Sequence, residues 1–136
     1  MRVIAGLACA CALLAASTAS AHHSLALFET DVPVSFRGKV TRVDWRSPHT
    51  IIFVEAADSA GPTEWRVETV PNSWLINRAG WTIESVRPGD QVTVELYAYS
   101  DKTIKYGFLR RVIKADGKVW ASPLDIGRRG QREPGQ

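Results

Sequence analysis

Val34-Ser35-Phe36-Arg37-Gly38-Lys39-Val40-Thr41-Arg42-Val43-Asp44-Trp45 is the stretch whose pattern decides the fold. Val34, Phe36 and Val40 share one face, the two-residue period of a half-buried strand. The phase then slips, because Val43 and Trp45 occupy odd positions while Arg42 and Asp44 take the even ones. A bulge between the two halves, eased by Gly38, explains the slip and bends the strand sharply.

Two more strand signals follow. Arg46-Ser47-Pro48-His49-Thr50 reads as a turn with Pro48 setting its backbone, and Ile51-Ile52-Phe53-Val54 as a mostly buried strand. After the turn Asp58-Ser59-Ala60-Gly61-Pro62, Thr63 to Val70 alternates as a third strand with Trp65 and Val67 inward. Helix signals come next. Asn72 or Ser73 can cap, Trp74 to Ala79 make about two turns, and Gly80 suits the left-handed position just past the end. Arg87-Pro88-Gly89-Asp90 turns the chain into a fourth strand over Gln91 to Tyr99. Ile104 to Lys114 is a fifth strand, and Lys118-Val119-Trp120 an extra ribbon beyond Gly117.

Three strands, one short helix, then two strands is the order of an OB-fold barrel, with a small β-sandwich as the alternative. The predicted class is mainly β: a five-stranded OB-like barrel with its helix between strands 3 and 4. It occupies residues 34–121, behind an N-terminal arm over 22–33. Residues 122–136 are a Gly, Arg, Gln and Pro tail that cannot bury enough apolar surface to order itself.

Residues 1–21 read as a secretory signal peptide. Arg2 is its basic region, Val3 to Ala16 its apolar run, and Ala19-Ser20-Ala21 its small-x-small cleavage site. The apolar run is too short for a membrane span, so no membrane anchor is expected after cleavage, and the product is expected to be periplasmic or secreted. Cleavage after Ala21 makes His22 the first residue; cleavage after Ala19 leaves Ser20-Ala21-His22. Met1, Cys9 and Cys11 all fall in the removed segment, and they are the chain's only sulfur-bearing residues. The product therefore has no disulfide, thiol catalyst or zinc-thiolate cluster. Losing Arg2 lowers a net charge of only +3 by one, and Arg128, Arg129 and Arg132 lie in the tail. The pI near 9.1 is thus no argument for nucleic acid.

The three histidines are His22, His23 and His49. An N-terminal histidine offers amine and imidazole to one metal, and a second imidazole completes a three-nitrogen set suited to Cu(II). His49 is the obvious third donor, with His23 as its competitor. If cleavage leaves His22 third, amine, two amides and imidazole suit the same metal. The plain alternative is a solvated terminus and a turn histidine bonded to backbone. If the arm runs back antiparallel beside the first strand, His22 is expected to approach His49; if it does not, the two are expected at opposite ends of the barrel. A second hypothesis is a ligand-binding face built from Trp45, Tyr97 and Tyr99, since OB barrels bind oligosaccharides across aromatic faces. Trp65, Trp74 and Trp81 are assigned to packing, and Tyr97 and Tyr99, opposite Leu96 and Ala98, to the surface. The third class, an enzyme, is not expected. Glu55, Glu68, Glu84 and Glu95 stand singly on polar faces, and no nucleophile elbow is present.

Ala21-His22-His23-Ser24-Leu25, Gly38-Lys39-Val40 with Trp45, Ser47-Pro48-His49, Trp65 with Glu68, Leu75 to Gly80-Trp81, and Pro88-Gly89-Asp90 ahead of Val92-Thr93-Val94 together resemble a family. It is a domain-of-unknown-function family of small exported bacterial proteins, with an HHS start to the mature chain and an asparagine-proline-histidine motif. The likeness spans residues 21 to 120. Ser47 stands where the family more often has asparagine, and Leu25 where phenylalanine is common. The resemblance implies export and a barrel-like fold and carries no established activity. All three histidines lie within its motifs, which favours the metal reading.

Overall fold

A computed structural model describes residues 25–124. Among them, the strands are β1 (Val34–Asp44), β2 (His49–Asp58), β3 (Gly61–Pro71), β4 (Gln91–Ala98), β5 (Tyr106–Lys114) and β6 (Val119–Ala121). The helix α1 (Asn72–Ala79) joins β3 to β4. The sheet runs β3-β2-β1-β4-β5-β6, and a parallel pairing of β3 with β5 closes it on itself. The first five strands thus make the mixed OB-type barrel expected from the element order.

β1 is bent as its pattern predicts. The register against β2 shifts between Val40 and Arg42, leaving Thr41 as the extra residue. Gly38 opposes Ala56 on β2 and Val92 on β4 at once, so β1 exchanges partners there. A Cβ at Gly38 would stand 2.4 Å from the Glu55 carbonyl oxygen and 2.7 Å from Val54 Cγ1. Only a hydrogen fits between these strands.

Val40, Ile52, Val54, Val67, Val94, Leu96, Leu109 and Val112 fill the barrel as its alternation requires. α1 and the loop after it add Leu75 and Trp81, both essentially fully buried. Gly80 takes the left-handed conformation at φ 68°, so that its N–H and that of Trp81 bond back to Ile76 and Leu75. The N-terminal end of α1 differs from expectation. Asn72 lies inside the helix without capping it, because its Oδ1 accepts from the Thr50 hydroxyl at 2.7 Å. The second strand also starts earlier than its apolar run, at His49, which the sequence placed in a turn.

β5 carries a bulge of its own. Glu95 pairs with Arg111 and Leu96 with Leu109, which leaves Arg110 as the extra residue. The consecutive guanidinium groups both reach Glu95, Arg110 at 2.9 Å and Arg111 at 2.7 Å. The Arg111 hydrogen bond, followed by the charges of both arginines, holds the Glu95 carboxyl below its usual range against the opposing cost of burial.

Two outcomes are expected. Gly38→Ala forces β1 away from Glu55 and destabilises the barrel by about 1–3 kcal/mol in urea unfolding; an unchanged midpoint would contradict the close approach. Because Glu95 titrates lower when folded, its stabilisation is present above about pH 4.5 and is lost as pH falls through the lower native value. Glu95→Gln should therefore flatten the acid limb of stability against pH while leaving the slope between pH 6 and 8 unchanged, since that range lies about 1.5 units or more above the carboxyl's free titration at 4.5.

Candidate functional site

His49 opens β2 at a corner whose backbone is held by two hydrogen bonds. The Asn72 N–H donates to the Pro48 carbonyl at 3.2 Å, and the Thr69 hydroxyl to the Thr50 carbonyl at 3.0 Å. Thr50 and Thr69 are fully buried, so the backbone on both sides of His49 is fixed. The Ser47–Pro48 peptide before it is cis. From this corner the imidazole Nδ1 meets Glu68 Oε1 at 2.5 Å, with the two side chains 31% and 23% exposed. With its proton on Nδ1, the ring donates to the carboxylate and turns the Nε2 lone pair away from it. Carboxylates hold metal-binding histidines in this way.

The arm is tied down at Phe28, which bridges to Tyr99 at the end of β4. The Glu29 N–H donates to the Ala98 carbonyl at 2.8 Å and the Ser100 N–H to the Leu27 carbonyl at 2.9 Å. Leu25–Leu27 form a single 3-10 turn before it, and Glu29 pairs with Lys102. The Phe28 ring packs 5.4 Å from Tyr106, 5.8 Å from Phe108 and 6.0 Å from Tyr99.

The described part of this arm, residues 25–33, does not return beside β1; at Phe28 it bridges antiparallel to Tyr99, along the strand with which β1 also pairs. Closure supplies a different connection to His49. Gly107 faces inward, since a Cβ there would meet Leu96, so Tyr106 and Phe108 face outward. Phe108 pairs with Glu68 across the β3–β5 seam, and Glu68 holds His49. The anchored arm and His49 therefore share one outer face of the barrel. His22 and His23 lie outside the described residues. Among the described residues no three His, Cys, Asp or Glu side chains gather as a metal site. A fuller ligand set thus needs donors from elsewhere, and six residues of chain before Phe28 span at most about 20 Å.

The three residues expected to form an aromatic face are covered to different degrees. Tyr97 is on the face opposite Leu96, as expected, yet only 2% exposed, so it offers no stacking surface. Its face is the one the arm crosses, and β4 gave no sign of that cover. Tyr99 is partly buried in the Phe28 cluster, and Trp45 packs against the core. Glu68 was read as a solvated charge, and its partnership with His49 was missed. The available signal was the meander itself, which sets the start of β2 beside the end of β3.

Phe28→Ala should free the arm and cost about 3 kcal/mol of stability. Limited proteolysis would then cut within residues 25–33 faster than in the parent. Equal cleavage rates and an unchanged unfolding midpoint would contradict the anchoring role.

No curated protein matches the chain. Among solved structures it is similar to the mitochondrial single-stranded DNA binding protein Rim1 of S. cerevisiae, at 14% identity and a TM-score of 0.43. That alignment covers 62% of this chain and 94% of Rim1, and at such slight likeness nothing about a ligand passes between them. A family model matches residues 10–107, which take in the arm, β1–β4, α1 and the start of β5, and the chain belongs to that family, the family of unknown function DUF6152.

Proposed function

We propose that this protein is an exported, non-catalytic barrel that binds Cu(II) through His49 and the histidines of its processed N-terminus. The observation that carries the reading is the 2.5 Å contact between His49 Nδ1 and Glu68 Oε1. An imidazole fixed at one nitrogen has one orientation and one remaining lone pair, which lowers the ordering cost of metal binding at Nε2. The proposed partners are the amine and imidazole of His22 after cleavage behind Ala21, with His23 as the competing imidazole. Nitrogen donors without thiol or thioether favour Cu(II) over Cu(I). The anchor at Phe28 supports this reading because it holds the arm on the face that His49 occupies.

The test is Cu(II) titration followed by electron paramagnetic resonance, on protein whose first residue has been fixed by mass spectrometry. One equivalent should bind with a three- or four-nitrogen spectrum. His49→Ala should weaken binding at least tenfold, and one extra residue ahead of His22 should abolish the high-affinity spectrum. Glu68→Gln should weaken binding less than His49→Ala. A spectrum and affinity unchanged by His49→Ala would overturn the reading and leave the arm as a solvated terminus.

A further inference from the structure

A second candidate site lies on another part of the barrel. Outward residues of three adjacent strands form two neighbouring rows. Arg37, Thr93 and Ile113 are cross-strand partners in one. Lys39 and Gln91 are partners in the next, where the Ala115 N–H donates to the Gln91 carbonyl at 3.1 Å. Between these rows is an open groove of about 370 Å³, lined by Arg37, Gln91, Val92, Thr93, Ile113, Lys114 and Ala115.

The charges around this groove are not balanced. Its lining holds no carboxylate. Lys114 is engaged by Asp90 at 2.9 Å, and Glu95, next along β4, is held by Arg110 and Arg111. Glu55, opposite Lys39 on β2, is exposed and lies beyond the lining. Arg37 is exposed, and among the described residues no hydrogen bond, ion pair or ring contact engages its guanidinium. A guanidinium presents a planar fork matched to a carboxylate, and burial against it strengthens the pair. Thr93 and Gln91 add polar atoms on the same wall, while Val92, Ile113 and Ala115 add apolar surface. The volume is in the lower range of small-molecule sites.

We infer that the Arg37–Thr93–Ile113 groove binds a small organic carboxylate, its acid group on Arg37 and its apolar body along Ile113 and Ala115. The inference is independent of the copper reading, because among the described residues no hydrogen bond or ion pair joins the groove to His49 or Glu68.

The test uses the full processed chain, labelled with ¹⁵N, titrated with benzoate as the probe. Saturable shifts are expected at residues 37, 91–93 and 113–115. Arg37→Gln should raise the half-saturation concentration at least fivefold, whereas Arg37→Lys should retain part of the affinity and His49→Ala all of it. Benzyl alcohol, of similar shape without the charge, should bind at least fivefold more weakly than benzoate, and inorganic phosphate should not saturate the same residues at equal concentration. Equal response to benzyl alcohol, equal response to phosphate, or indifference to Arg37→Gln would each overturn the inference.

Discussion

Closure of the barrel between β3 and β5 is the constraint from which the remaining arrangement follows. A five-stranded sheet returns to its own edge only when it is bent and sheared, and β1 supplies the bend. Thr41 is the extra residue of its bulge, and Gly38 lets Glu55 and Val54 approach to distances that no Cβ permits. Gly107 does the same beside the seam, where a Cβ would stand 2.5 Å from Leu96 Cδ1. These two glycines make room for a seam whose parallel pairs include Glu68 with Phe108.

The seam links two features that are distant in sequence. Phe108 receives the arm through Phe28, and Glu68 receives His49. Neither contact needs the arm to travel along β1, because the shear of a closed barrel brings the two features together around the other side. Within the His49 corner, the Thr69 hydroxyl and the Asn72 N–H hold the carbonyls on either side of His49. Their effect is to fix where the imidazole starts, while Glu68 fixes where it points.

Much of the fold was legible from residue pattern. The phase slip in Val34–Trp45 located the β1 bulge, Gly80 marked the end of α1, and the order of elements specified the barrel. The errors share a physical cause, since each involved a partner supplied by a different element. Asn72 read as a cap until Thr50 engaged its oxygen, and Glu68 read as a surface charge until β2 brought His49 to it. Tyr97 obeyed strand alternation yet is buried by what covers its face. Periodicity along one strand reports which way a side chain points, and it is silent about what arrives from outside.

On the proposed reading, a metal at His49 also engages the arm anchored by Phe28. Paramagnetic broadening measures this directly. On adding a small fraction of an equivalent of Cu(II) to the processed ¹⁵N-labelled protein, backbone signals of His49, Glu68 and the arm before Phe28 should broaden together, ahead of those around Arg37 and Thr93. Broadening confined to the first few residues, with His49 and Glu68 sharp, would contradict the account.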